Sequence, residues 1–172
     1  PGAKESEQVV NQTYHTALLA HGYAVRAVRE FGGPGARVGI TDNPIPTIPL
    51  TETERDIEAA QKAFIEINSR VLEPLYRGEY TEAYFKTVGE DAAQFKADDF
   101  KLISQPTDFL GLNVYTGQFV RAAEPQGYEI LPLPASYPTA DATWLAHAPQ
   151  AIYWCARHVA EIYEVPSVII TE

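Results

Sequence analysis

Apolar residues recur along this chain at two different spacings, and the alternation between them sets out the elements. From Ser6 to Phe31, Val10, Tyr14, Ala17, Leu18, His21, Val25 and Val28 fall three and four apart, which predicts one long helix with a single buried face. Ser6 is placed to cap its start. Gly32-Gly33-Pro34-Gly35 ends it, because glycine accepts positive φ and proline cannot continue the hydrogen-bond ladder. Arg37-Val38-Gly39-Ile40-Thr41 then reads as a short strand, followed by Asn43-Pro44-Ile45-Pro46-Thr47-Ile48-Pro49, a proline-rich loop expected to resist regular structure at a surface or rim.

Thr51 and Glu54 have capping-box spacing and open a second long helix, with Ile57, Ala60, Phe64, Ile67, Val71 and Leu75 on one stripe and Gly78 near its end. A shorter helix is expected from Thr81 to Val88, closed by Gly89. Asp108 to Tyr115 starts as an apolar run without alternation, as expected of a strand buried on both faces. The stretch from Arg121 to Asp141, rich in proline and alanine, reads as a long connection. Pro149 suits the first turn of a helix carrying Ile152, Cys155, Val159 and Ile162, and Ser167 to Glu172 is an apolar strand finishing on a carboxylate.

The order is helix, strand, helix, helix, strand, helix, strand, with strands more than fifty residues apart in sequence. Such separations favour parallel pairing through helical crossovers, hence an α/β fold. Three strands alone would leave apolar faces and unpaired backbone edges exposed, so the remainder of a sheet or barrel is expected to come from other sequence.

Composition narrows the chemistry. The 172 residues are 45% hydrophobic, enough for a real core. Thirteen basic against 23 acidic residues give a net charge of −10 without a basic stripe, which argues against nucleic acid as a partner. No apolar run approaches the roughly 20 residues of a membrane span, so no membrane partner is expected. Cys155 is alone and sits in an apolar helical pattern, as a small buried hydrophobe would. His15, His21, His147 and His158 form no ligand motif, so neither a metal nor another cofactor is expected.

In parallel α/β folds the polar residues at the C-terminal ends of strands face the site. Asn43, Asn113, Tyr115 and Glu172 occupy such positions. Singly each has a plain structural explanation: a turn asparagine, a core tyrosine, a solvated glutamate. Their recurrence at equivalent strand ends favours function.

Several segments together resemble glycoside hydrolase family 1. They are His15 with Leu18-Leu19-Ala20-His21-Gly22, Val38-Gly39-Ile40 leading to Asn43, Pro74-Leu75-Tyr76-Arg77-Gly78-Glu79-Tyr80, and Ile103-Ser104-Gln105-Pro106. Asp108-Phe109-Leu110-Gly111-Leu112-Asn113-Val114-Tyr115, Pro149-Gln150-Ala151-Ile152-Tyr153-Trp154 and Ile169-Ile170-Thr171-Glu172 complete the pattern in the family's order. The resemblance implies one partial (β/α)8 barrel domain over residues 1–172, from the helix after the fourth strand through the end of the seventh and incomplete at both ends. Pro1-Gly2 resembles the end of the loop after the fourth strand.

What the resemblance implies for chemistry is a retaining β-glycosidase acting on terminal β-D-glucosyl residues, a β-glucosidase. Glu172 would be the nucleophile that forms a covalent glycosyl-enzyme intermediate, and Tyr115 the hydroxyl that donates to it. Asn113, Asn43, Trp144 and His15 would be substrate-binding, with Trp144 the aromatic platform although it lacks the family's preceding glycine and has one extra residue before Pro149. Trp154 is expected in the core, and His15 has an equally good reading as a helix-packing residue. The acid/base glutamate of the family's Asn-Glu-Pro motif would precede Pro1, so this chain alone is expected to be inactive. Implied partners are a β-glucoside or cello-oligosaccharide and the remaining segments of the same barrel; a cytoplasmic location is expected. Two alternatives stay open: a 6-phospho-β-glycosidase, and a non-catalytic segment of a split or nicked barrel.

Overall fold

The computed structural model describes residues 4–172. The resemblance noted for Pro1-Gly2 lies outside them. In chain order the elements are α1 (Glu7–Phe31), β1 (Gly39–Asp42), β2 (Thr47–Pro49), α2 (Glu54–Tyr76), α3 (Glu82–Val88), a 3-10 turn (Gly89–Asp91) and α4 (Ala97–Ile103). These are followed by β3 (Phe109–Leu112), β4 (Gln118–Arg121), β5 (Glu129–Ile130), α5 (Gln150–Tyr163) and β6 (Val168–Ile170). The described residues divide into two compact units, 4–40 with 68–109, and 41–67 with 110–172.

In the first unit α1 begins where expected. Ser6 is extended, and its Oγ accepts a hydrogen bond from the Val9 N–H at 3.4 Å. Past its end the chain turns through Gly33 and Gly35, both at positive φ (76° and 86°). The buried stripe differs from expectation. Asn11, His15, Leu18, Gly22 and Val25 face inward, whereas Tyr14 and Ala17 are exposed. Polar side chains took the inner face because partners await them there: Asn11 Nδ2 donates to the Asp91 carbonyl at 2.8 Å. Gly22 lets α4 approach closely, since a Cβ there would lie 2.4 Å from the Leu102 carbonyl oxygen. Leu18, Leu75, Tyr80, Tyr84, Phe100 and Ile103 form the core, with Tyr80 and Tyr84 stacked at 3.9 Å. Helix α4 was not anticipated; its seven residues include Asp98, Asp99 and Lys101 and are too few for a period to register.

The second unit holds the larger departures. Thr47–Pro49, expected to be loop, is a strand paired in parallel with Gln118–Val120. Proline is tolerated there because β2 is the outer strand of the order β2-β4-β5, where a missing N–H leaves no ladder bond unmade. The expected long connection likewise contains structure: Val120 and Arg121 of β4 pair antiparallel with Ile130 and Glu129. The second helix is capped two residues later than the Thr51/Glu54 pattern suggested. Thr53 Oγ1 accepts from the Asp56 N–H at 3.3 Å, and Asp56 Oδ2 accepts from the Thr51 N–H and hydroxyl at 3.2 and 2.6 Å. Ala59, Ala60, Ala63 and Val120 form a compact core here. Trp154 and Cys155 of α5 are buried, as their helical stripe implied.

The remaining sheet has the order β1-β3-β6, with Leu110, Gly111 and Leu112 paired in parallel with Val168, Ile169 and Ile170. Gly111 has no space for a side chain: a Cβ would sit 2.4 Å from Thr41 Oγ1 and 3.2 Å from Thr171 Cγ2. That close packing brings the C-terminal ends of these strands together.

Candidate active site

Backbone pairing extends past the last regular residues of the sheet and sets the register of the polar ends. The Asn113 N–H donates to the Asp42 carbonyl at 2.9 Å, the Val114 N–H to the Glu172 carbonyl at 2.8 Å, and the Thr171 N–H to the Leu112 carbonyl at 2.9 Å. Asn113 and Tyr115 are two residues apart, so they share a face as the strand ends. From that face the Tyr115 hydroxyl donates to Glu172 Oε2, and Asn113 Oδ1 accepts from the Thr171 hydroxyl at 2.6 Å.

Trp144 belongs to a loop held by its own backbone. The Ala140 N–H donates to the Leu145 carbonyl (3.0 Å), the His147 N–H to the Pro138 carbonyl (2.9 Å), and the Tyr137 hydroxyl to the His147 carbonyl (3.0 Å). Thr116 Oγ1 ties this loop to the end of β3 by donating to the Ala146 carbonyl at 3.0 Å. The indole, 64% exposed, meets the Tyr115 ring edge-on at 6.2 Å and 89°. Beside them lies a cavity of about 370 Å³ walled by Asn43, Pro44 to Pro46, Tyr115 to Gln118, Leu133, Trp144 and Ala146. That volume is in the range of small-molecule sites.

Five of the six predicted site residues therefore gather in the second unit: Glu172, Tyr115, Asn113 and Trp144 through the contacts above, and Asn43 through the shared cavity. His15 is the exception. It lies in the first unit, 1% exposed, with Nδ1 at 3.2 Å from the Tyr80 hydroxyl and Nε2 at 3.2 Å from Asp99 Oδ2. Phe95 and Phe100 flank its ring. Both nitrogens are occupied and the ring is enclosed, the surroundings that its alternative reading as a helix-packing residue calls for.

Two residues here escaped the sequence reading. Asp42, one residue before Asn43, is pushed up to about 6 by burial, offset in part by the Asn43 N–H. An acid directly after the run Val38 to Thr41, within reach of the same strand, was the available signal. Gln118, first residue of β4, lines the cavity. Among the described residues no group of three or more His, Cys, Asp or Glu side chains is placed to hold a metal ion, and no helix is long and apolar enough to cross a membrane.

A carboxylate at the end of one parallel strand, a tyrosine donor at the end of its neighbour and an exposed indole beside a cavity thus form one polar rim at the strand ends. The comparisons place the chain more closely. The model of glycosyl hydrolase family 1 matches residues 1–172, and the chain belongs to that family. It is 33% identical to the β-glucosidase of Agrobacterium sp. (strain ATCC 21400) over 176 residues, covering all of this chain and 38% of that protein. It is 32% identical to β-glucosidase A of Thermotoga maritima over 173 residues, again covering all of this chain and 38% of the relative. Among solved structures, the family 1 β-glucosidase from Thermotoga maritima superposes with a TM-score of 0.73 at 31% identity, over 96% of this chain and 37% of that one. The virulence factor SghA in complex with its substrate analog salicin gives 0.74 at 27% identity, with the same coverage. The chain thus spans less than two-fifths of the length of these relatives, and it is α/β, part of the family's barrel.

Proposed function

We propose that this chain carries the nucleophile half of a retaining β-glucosidase active site, in one partial (β/α)8 barrel catalytic domain, and that it acts with a second carboxyl group on another segment of the barrel. The observation that carries the reading is the hydrogen bond from the Tyr115 hydroxyl to Glu172 Oε2 across adjacent strand ends. Retention requires two carboxyl groups about 5–5.5 Å apart. One Glu172 oxygen attacks the anomeric carbon as the glycosidic C–O bond breaks, and the leaving oxygen takes its proton from the second carboxyl. Water then attacks the glycosyl ester, giving its proton to that same group, and the Glu172 carboxylate departs.

The other residues have distinct tasks. Tyr115 favours the ionised carboxylate and holds its direction, because a donor to a charged acceptor makes one of the stronger hydrogen bonds. The Asn113–Thr171 bond keeps the two strand ends in register beneath it. Trp144 offers an indole face to the C–H face of a sugar. Asn43 lies on the leaving-group side, in the cavity it shares with Trp144. The relatives' names, β-glucosidase and 1,4-β-D-glucan glucohydrolase, support a β-glucoside as substrate, and cello-oligosaccharides are the proposed natural examples.

The test is chemical rescue in the full-length protein. Glu172→Ala should abolish hydrolysis of 4-nitrophenyl β-glucoside, and added azide should restore release of nitrophenol with the α-glucosyl azide as product. Loss of activity without azide rescue, or rescue that gives the β-product, removes Glu172 from the nucleophile role.

A further inference from the structure

The cavity beside Trp144 is two-sided. Pro44, Ile45, Pro46, Leu133 and Trp144 form apolar wall, while Asn43, Thr116 and Gln118 bring polar groups to it; among the described residues, none of the lining side chains is charged. A neutral, amphiphilic guest fits such a lining, as a sugar ring does with its C–H faces and hydroxyl edges.

One of the lining residues has an unsatisfied atom beneath that wall. Gln118 Oε1 is shut off from solvent and has no hydrogen-bond partner. Its backbone is held: the Gln118 N–H donates to the Pro46 carbonyl at 2.9 Å, and the residue pairs in register with Thr47 of β2. A buried amide oxygen without a partner costs about 1–3 kcal/mol, and an apolar side chain at this place would avoid the cost. The terminal torsion of glutamine is broad, so the amide can turn and offer oxygen or nitrogen to the cavity at little cost. Once turned toward the cavity, the amide can exchange a hydrogen bond with a guest hydroxyl.

We propose that Gln118 is a specificity-determining residue for the leaving group, hydrogen-bonding a hydroxyl of a sugar leaving group in the cavity it shares with Asn43 and Trp144. The inference rests on the β-glucosidase reading above and extends it to cello-oligosaccharides over substrates whose leaving group carries no hydroxyl. Gln118 makes no contact with the reacting atoms in this scheme; it selects among leaving groups.

The test compares two substrates in the full-length protein that share the glucosyl group and differ in what departs: cellobiose and β-glucosyl fluoride. Gln118→Met keeps the length and removes the amide. The expected result is a loss of about five- to tenfold in kcat/KM for cellobiose, the range one neutral hydrogen bond supplies, with β-glucosyl fluoride unchanged. An equal loss on both substrates assigns Gln118 a structural role and overturns the proposal; so does no loss on cellobiose. If Gln118→Met does not fold, Gln118→Asn is measured instead. It withdraws the amide by about 1.5 Å while keeping its polarity, and the same selective loss is expected. A wild-type protein that cleaves neither substrate refutes the β-glucosidase reading itself, which is distinct from a wild type that cleaves both and a variant that does not discriminate.

Discussion

The Thr171 hydroxyl donates to Asn113 Oδ1 at 2.6 Å, bridging the residues that follow β6 and β3, one position before Glu172. It is a positioning contact: neither partner is assigned to the reacting bond, and together they set the separation across which Tyr115 reaches Glu172. Thr171→Val keeps the side-chain shape and removes the donor. It should lower kcat on 4-nitrophenyl β-glucoside about three- to tenfold, as a modest misplacement of a reacting group does. Steady-state kinetics check this, and an unchanged kcat would show that backbone pairing alone holds the site.

Tyr115→Phe removes the one side-chain donor found on Glu172 among the described residues. Turnover should fall about a hundredfold, the scale seen when a preorganised donor is deleted from an active site. Thermal unfolding should change little, because Tyr115 is 40% exposed and its hydroxyl stabilises no core contact. A wild-type kcat in this variant would strip Tyr115 of its role.

His15 is expected to matter for stability and not for substrate. His15→Ala gives up bonds to Tyr80 and Asp99 within an aromatic cluster and should cost about 2–4 kcal/mol in urea unfolding of the full-length protein. KM for 4-nitrophenyl β-glucoside should stay within twofold. A raised KM with unaltered stability would restore the substrate-binding role first expected of it.

Burial raises the Asp42 carboxyl to about 6, against an ordinary value near 3.8. Between those values the unfolded chain is ionised and the folded one protonated, so folding takes up a proton and stability falls as pH rises through the window. Above pH 6 the ionised buried group has lost about 2–3 kcal/mol relative to pH 4. Asp42→Asn should therefore be more stable than wild type at pH 7, with the advantage shrinking as pH drops towards 4. Urea unfolding of both proteins at pH 4, 5.5 and 7 measures it. A pH-independent difference would mean that Asp42 is ionised at ordinary pH.

Much of the fold was legible where one physical signal acted alone. Ser6 followed by three-and-four apolar spacing located α1, and the run from Leu110 to Leu112 marked a doubly buried strand. Tertiary context decided the rest. Thr47–Pro49 became a strand because an outer position excuses proline's missing donor, and Gln118–Arg121 because β2 and β5 pair with it on either side. Asn11 and His15 displaced Tyr14 from the inner face of α1 because Asp91, Tyr80 and Asp99, distant in sequence, supply their hydrogen bonds. Strand ends were the readable part of the site, since Asn113, Tyr115 and Glu172 follow apolar runs. Gln118 was not readable: its place in the cavity depends on a wall shared with the loop that carries Trp144.

The central claim is that Glu172 becomes covalently bonded to the sugar, and the direct measurement is trapping with 2-deoxy-2-fluoro-β-glucosyl fluoride followed by proteolysis and mass spectrometry of the full-length protein. The electron-withdrawing fluorine slows hydrolysis of the intermediate, so the fluoroglucosyl ester accumulates. The expected result is a one-to-one loss of activity with label, and a fluoroglucosyl mass increment on the peptide that contains Ile170-Thr171-Glu172, localised to Glu172. Label on any other carboxylate, or inactivation without a covalent adduct, contradicts it.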